Sequence, residues 1–334
     1  LPWGGLDEER VFERDEMKID IKSLSKEELG KELVKLGGEA YRAKQVFRWL
    51  YKVGVKSFDE MTDLPAELRL KLKDACHIEH PSMLDMRRSG LDGTTKYLLK
   101  LEDGNTIETV YLPETDRATV CLSSQVGCKY ACSFCASAPF GFKRNLHVAE
   151  ILDEVLFVRA KHPETPVTNL VFMGIGEPLD NYDHVLRAIR ILNDPDAFGI
   201  GARRMTISTC GLIPAMEKLA GEGIQVELSV SLHSADDAVR STLVPVNRKY
   251  PLADLMKACR AYTQATNRII TFEYILIKGV NASKDDATKV ARLLKGLKCK
   301  VNTIAYNQIK ALGFDAPTAR DVQAFVKTLK DAGV

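Results

Sequence analysis

No apolar run in this 334-residue chain approaches the roughly 20 residues that a helix needs to cross a bilayer. Residues 1–10, LPWGGLDEER, lack the basic and then apolar pattern of a secretory leader. A strong charge imbalance is missing too. The 47 Lys and Arg face 45 Asp and Glu for a formal net charge of +2, so any surface that attracts nucleic acid must be local. The sequence has no internal repeat and no low-complexity tract. With 45% hydrophobic and 28% charged residues the chain is globular, not disordered or collagen-like. Its length suits one large domain with an appendage, or two domains, at about 100–200 residues each.

A secreted disulfide framework is not expected in a chain this long whose first residues show no leader pattern. The chain nevertheless has eight cysteines, unevenly placed. Cys121, Cys128, Cys132 and Cys135 crowd into fifteen positions, whereas Cys76, Cys210, Cys259 and Cys299 are scattered. The scattered four read as small buried hydrophobes. The crowded ones read as a metal or redox site. Cys128-x3-Cys132-x2-Cys135 places three thiols around one loop, suited to three corners of an iron–sulfur cubane whose fourth iron stays open to another ligand. A zinc site would want a fourth Cys or His at close spacing, and His147, twelve residues on, serves that poorly.

The chain falls into three stretches. Residues 1–80 hold a helical module. Ser25–Glu28 has the form of a capping box, and Leu33, Leu36, Val46, Phe47, Leu50 and Tyr51 follow helical spacing. Between Ala40 and Ser57 stand five basic residues and no acidic one. Lys44, Arg48 and Lys52 stack like charges on one helix face, which fits either a partner anion or a plain solvated face. Residues 81–116 alternate as strands about a turn at Glu102–Asn105, a β-hairpin extension. From 117 to 334, expected strands at 118–123, 168–173, 204–208, 225–232, 270–277 and 300–306 alternate with helices at 147–161, 181–193, 212–221, 236–242, 251–265, 284–296 and 317–331. Such alternation implies an α/β fold with a parallel sheet. Six units are too few for a closed eight-stranded barrel, so a partial (β/α)6 barrel is expected, with its chemistry at the carboxyl ends of the strands.

The cysteine loop follows the first barrel strand, and Phe134 precedes its last cysteine; this resembles the radical S-adenosylmethionine superfamily. Met173-Gly174-Ile175-Gly176-Glu177-Pro178 ends the second strand, where Gly permits close backbone approach and a carboxylate suits an ammonium group. Further stretches follow in order: Cys121-Leu-Ser-Ser-Gln-Val-Gly-Cys128, Gly141-Phe-Lys-Arg-Asn-Leu146, Ser208-Thr-Cys-Gly211, Ser231-Leu-His233 with Val244-Pro-Val-Asn247, and Tyr306-Asn307. Together, from about residue 20 to the end, they resemble the RlmN/Cfr family of radical-SAM RNA adenine methyltransferases.

The resemblance implies a [4Fe–4S] cluster on Cys128, Cys132 and Cys135. It also implies S-adenosyl-L-methionine contacts at Gly176, Glu177, Ser208, Ser231, Leu232, His233 and Asn307. Glu108 becomes the proton acceptor and Cys121 the second catalytic thiol. Implied partners are 23S rRNA, tRNA and a flavodoxin- or ferredoxin-type electron donor, for a cytoplasmic monomer with no membrane contact. The implied reaction methylates adenine C2 through a methyl-cysteine, a 5′-deoxyadenosyl radical, a protein–RNA crosslink and a disulfide that releases product. A Cfr-type enzyme acting at C8, or a non-methylating RNA-binding paralogue, are the alternatives. Taken singly, several of these residues also fit bland roles: Glu108 an exposed strand carboxylate, Cys121 an inert core thiol, Ser208 and Ser231 partners of backbone groups, His233 a core histidine.

The family's methyl-carrying cysteine sits in a C-terminal Ala-Cys-Gly segment. The sequence given ends at Lys330-Asp-Ala-Gly-Val334, where that segment should begin, and opens on Leu1. A trimmed or unrecorded tail is the expectation. Neither Cys259 nor Cys299 has the sequence context to replace that cysteine.

Overall fold

A computed structural model describes residues 18–115 and 117–334. Residues 1–10, judged above for a leader, and the first 17 residues of the helical module lie outside the described residues. Within them run ten α-helices and thirteen β-strands. The module pairs β1 (Ile19–Asp20) in parallel with β2 (Cys76–His77) around α1 (Lys26–Lys35), α2 (Ala43–Phe47) and α3 (Ala66–Ala75). Ser25 accepts from the Glu28 amide while Glu28 accepts from the Ser25 amide, so the expected capping box opens α1. Leu33, Val46, Phe47, Leu50 and Tyr51 are all buried.

The next stretch has three strands rather than the two of the expected hairpin: β3 (Ser82–Arg88), β4 (Thr95–Lys100) and β5 (Thr106–Pro113) form an antiparallel meander. β3 is exposed along its whole length, which deprives it of the half-buried alternation that marks β4. β5 continues antiparallel onto β6 (Ala118–Cys121), so the meander and the barrel share one nine-stranded sheet. A short ribbon of β7 (Gln125–Gly127) and β8 (Phe142–Asn145) follows, with the three-cysteine loop between its strands.

The barrel strands fall within a few residues of their expected positions: β9 (Val167–Phe172), β10 (Met205–Thr209), β11 (Glu227–Ser231), β12 (Ile270–Leu276) and β13 (Cys299–Ala305). They lie in sequence order beyond β6, each parallel to its neighbour. Between and after them come α4 (Val148–Lys161), α5 (Tyr182–Asn193), α6 (Ile213–Ala220), α7 (Asp237–Leu243), α8 (Leu252–Thr266), α9 (Lys284–Leu294) and α10 (Ala319–Asp331). Unbroken sequential order with right-handed crossovers keeps the helices on one side and curls the sheet into a partial barrel. β10 alternates buried and half-buried residues, Met205, Ile207 and Thr209 against Thr206 and Ser208. The larger core lies between the sheet and the helices, with Ile151, Leu152, Val155 and Val158 of α4 fully buried in it.

The module is fastened to the barrel by charge. Lys22 is fully buried, and its ammonium reaches both oxygens of Asp153 on α4, at 2.6 and 2.7 Å, as well as the Glu79 carbonyl. Tyr51 donates to the Lys22 carbonyl at 3.0 Å, and Arg159 of α4 donates to the Tyr51 carbonyl at 3.0 Å. At the rim Lys26 bridges Asp194 and Asp196. Removing one partner of a buried ion pair strands the other in low dielectric, at a cost of about 3–5 kcal/mol. Asp153→Ala should therefore lower the urea stability by about that much, and Lys22→Met/Asp153→Leu should recover a large part of it. An unchanged midpoint for Asp153→Ala would show that the pair does not fasten the module.

Candidate active site at the strand ends

β6 and β9 end beside each other, and the segments leaving them are laced together by buried polar groups. The Ser123 amide donates to both oxygens of Glu154 (3.1 and 3.0 Å), a fully buried carboxylate of α4. Ser123 Oγ donates to the Glu108 carbonyl at 2.7 Å and accepts the Ile175 amide at 3.1 Å. Gln125 Nε2 donates to Asn145 and Asp180, while its Oε1 accepts the Glu177 amide at 2.9 Å. Asn181 Nδ2 donates to the carbonyls of Ser124 and Leu146, at 2.8 Å each. Such segments leave many backbone groups without ladder partners, and each needs one when buried.

Two glycines are required by this lacing. At Gly127, with φ of 76°, a Cβ would lie 1.8 Å from the Gly141 carbonyl oxygen, which itself accepts from the Cys128 amide. At Gly176, with φ of 106°, a Cβ would lie 2.6 Å from Gln125 Cβ. The close approach expected of Gly176 is thus an approach to Gln125.

The cysteine loop packs over the ends of the strands. Ala131 takes the left-handed conformation, φ 48°, rare for a residue with a Cβ, and the Ser133 amide donates to the Leu243 carbonyl at 3.0 Å. Asp180 anchors the loop through Lys129 (2.8 Å) and Tyr130 (3.0 Å). Burial pushes the Cys128 thiol up to about 11 and Cys132 to about 12, with neighbouring thiols adding to the effect on Cys132. Among the described residues, the trio of potential ligand atoms lying within 4.8 Å of one another is Asp20, His77 and Glu79, in the module beside Lys22. Ser133 Oγ, within the loop, and Tyr306 Oη, in the apolar cluster that Cys132 and Phe134 join, are buried without a hydrogen-bond partner. Orphaned hydroxyls of this kind suit a polar cofactor. The residues fit the group.

The remaining expected residues line the same rim. Glu177 is 4% exposed, and its two oxygens accept the amides of Leu179 (3.0 Å) and Cys210 (2.7 Å). Burial raises its pKa, opposed by those hydrogen bonds. Cys210 is buried, as expected of the scattered four, yet its amide sits on Glu177. His233 has φ of 56°, and Asn281 holds its carbonyl at 2.7 Å. Its Nδ1 accepts the Ile275 amide at 3.0 Å, which leaves the ring proton on Nε2, and Phe134 meets the ring edge-on at 4.6 Å. Burial, helped by Arg240, lowers the imidazole to about 3. Leu232 is fully buried, and its backbone is what it offers: the amide to Glu273, the carbonyl to Arg240.

Strand register decides which side chains share the concave face. Cys121 pairs with Val110 and Val171, and Glu108 is two residues from Val110, so Glu108 and Cys121 face the same way. Val171 pairs with Thr206, Ser208 with Ser229, and Ser231 with Glu273, which carries that face across the barrel. Asn307 follows β13 and is exposed. Glu108 pairs with Lys96 at 2.8 Å, and with Val126, Ser137, Phe140 and Lys143 it lines a cleft of about 310 Å³ beside the cysteine loop. Burial pushes the Cys121 thiol up to about 12.

Lys44, Arg48 and Lys52 lie far from this rim in sequence and are exposed on the module. α2 runs on into a π-helical turn, Arg48–Val53, so Lys52 does not stack over Arg48 at the α-helical spacing expected. Lys44 approaches Asp196 at 3.5 Å and so joins the rim of the docking interface. Arg240, Asn281, Glu154 and Glu273 are not legible as site residues in the sequence, and Gln125 is visible only as a member of the Cys121–Cys128 stretch. For Arg240 the one available hint is its place between the Ser231-Leu-His233 and Val244-Pro-Val-Asn247 stretches.

Residues 122–293 match the family model of the radical SAM superfamily, and residues 19–78 that of the ribosomal RNA large subunit methyltransferase N-terminal domain. The chain is 46% identical to the dual-specificity RNA methyltransferase RlmN of Geobacter sulfurreducens, over 94% of this chain and 86% of that one. It is 43% identical to the protein of that name in Geotalea uraniireducens, over 95% and 91%. A crystal structure of a radical SAM methyltransferase from Sphaerobacter thermophilus superposes with a TM-score of 0.90 at 42% identity, covering 95% of this chain and 93% of that one.

The neutral imidazole of His233 has a measurable consequence. The unfolded chain binds a proton there near pH 6.5 and the folded chain only near 3, so this contribution to stability is complete above 6.5 and is lost as pH falls towards 3. Within that window the slope amounts to about 1.4 kcal/mol per pH unit. His233→Gln, which keeps an acceptor for the Ile275 amide, should flatten that part of the urea midpoint against pH. Equal slopes for both proteins would reject the buried neutral imidazole.

Proposed function

The chain belongs to the RlmN family of radical SAM methyltransferases, and on that premise we propose that it methylates C2 of an adenine in 23S rRNA and in tRNA. The observation that carries this reading is the cleft beside the cysteine loop. One wall offers Glu108, the rim offers Phe140, which is 79% exposed, and Lys96 and Lys143 flank it. An aromatic face, two ammonium groups and one carboxylate suit a base taken out of its stack, with its phosphates held by the lysines.

Cys128, Cys132 and Cys135 would ligate one [4Fe–4S] cluster. Gly176, Glu177, Ser208, Ser231, Leu232, His233 and Asn307 would take S-adenosylmethionine. Bound there, the two groups supply one-electron chemistry strong enough to activate an inert C–H bond, which an unreactive ring carbon such as adenine C2 demands. The chain's own side chains do the rest. Glu108, held at the cleft by Lys96, accepts the ring proton after the carbon–carbon bond forms. Cys121, on the same face, gives up its thiol proton and forms a disulfide with the sulfur of the cysteine that carries the RNA; the bond from that sulfur to the methylene carbon breaks, and the carbon leaves with the bonding pair and takes up a proton as the methyl group of the released base. Burial keeps Cys121 a thiol at neutral pH, so the step begins with loss of that proton. The cysteine that carries the methyl group in this family's route is not among residues 1–334. The module, residues 1–80, would grip RNA phosphates through Lys44, Arg48 and Lys52.

Expression of the complete gene in a host without this modification should yield 2-methyladenosine in digested 23S rRNA and tRNA, read by mass spectrometry. With Cys121→Ala an RNase-sensitive protein–RNA adduct should accumulate, because the crosslink forms and nothing resolves it. Methylation at C8 alone, or none with the cluster loaded, would overturn the reading.

The module gives a second test. Arg48→Glu and Lys52→Glu should weaken RNA binding and shallow its salt dependence by about 0.7–0.9 log unit per log unit of salt for each phosphate no longer neutralised. Lys44→Glu should also lower the unfolding midpoint, through its approach to Asp196. RNA affinity unchanged across a salt series would return all three to a solvated face.

A further inference from the structure

Arg240, in the middle of α7, is fully buried. Its hydrogen-bond partners among the described residues are all neutral. They are the carbonyls of Leu232 (3.1 Å), Ser231 (2.8 Å) and Cys210 (2.8 Å), and Asn247 Oδ1 (2.6 Å). The acid on its own helix, Asp237, is spent on the Asn247 side chain at 3.0 Å and the Leu252 amide at 2.8 Å. A guanidinium cannot shed its proton, so burial without an adjacent anion is costly. Burial lowers its pKa.

The same helix holds the cysteine loop directly, since the carbonyl of Leu243 takes the Ser133 amide at 3.0 Å. Leu243 and Val244 also share an apolar cluster with Cys210, Cys132 and Phe134. An oxidised [4Fe–4S] core of charge 2+ on three thiolates carries one net negative charge, and reduction adds another.

We propose that Arg240 is the fixed counter-charge of the cluster, a positioning residue that eases the cluster's reduction by placing a permanent cation behind its loop. This rests on the assignment of Cys128, Cys132 and Cys135 as cluster ligands. The cation favours the more negative, reduced state and so raises the midpoint potential, while the guanidinium fork ties together the ends of β10 and β11. A purely structural Arg would be satisfied by the same carbonyls, but its replacement by a neutral donor would not move a potential.

The test is a redox titration of the anaerobically reconstituted protein, followed by the electron paramagnetic resonance of the reduced cluster. Arg240→Gln should load iron and sulfide as the parent does, yet titrate at a more negative potential. Arg240→Lys, which keeps the charge and loses the fork, should stay near the parent value. A parent-like potential in Arg240→Gln overturns the proposal. Should that variant fail to fold or load, Arg240→Lys decides: a potential near the parent's supports the counter-charge, and a drop to more negative values overturns it. A parent protein that loads no cluster would instead sink the ligand assignment.

Discussion

Where parallel strands stop, the backbone still carries donors and acceptors, and in a buried rim every one of them needs a partner. This constraint organises the molecule. Glu154 takes the first amide of the segment beyond Leu122, Glu177 takes the amide beyond β10, and Arg240 gathers carbonyls from two strand ends. Asn281 ties the turn at His233 to β12. Side chains of this sort are long, polar and fully enclosed, so each is fixed by several hydrogen bonds at once. A rim built in this way is stiff before anything binds to it, which is what a site needs if its binding energy is not to be spent on ordering itself.

The strands and helices of the barrel are legible in the sequence because short β-branched runs alternate with amphipathic stretches, and that periodicity survives burial. The meander is legible only in part. β4 and β5 alternate, but β3 is exposed throughout and leaves no pattern to detect. The cysteine loop and the Gly-Glu-Pro turn are visible as spacing. Arg240 and Asn281 are not, since a helix Arg and a loop Asn are ordinary surface residues in sequence, and only the fold shows them enclosed. The basic stripe on the module is visible, but its geometry depends on a π-helical turn that residue spacing does not announce.

The helical module is more than an attached handle. Its first described residues supply Lys22 to the heart of the interface with α4, and its rim lysines share acids with the barrel. The module and the strand-end rim are thereby held at a set separation.

Glu108 and Cys121 owe their common orientation to counting. Glu108 stands two residues before Val110, and Val110 is the cross-strand partner of Cys121. Sidedness in a strand has a period of two, so one residue inserted between Glu108 and Val110 turns the carboxylate to the helical face and leaves the thiol where it was. Length can drift freely in the turn at Glu102–Asn105, but within β5 descendants of this sequence can change length only in pairs. The shared face of the two side chains is thus a matter of parity in the strand as much as of residue type.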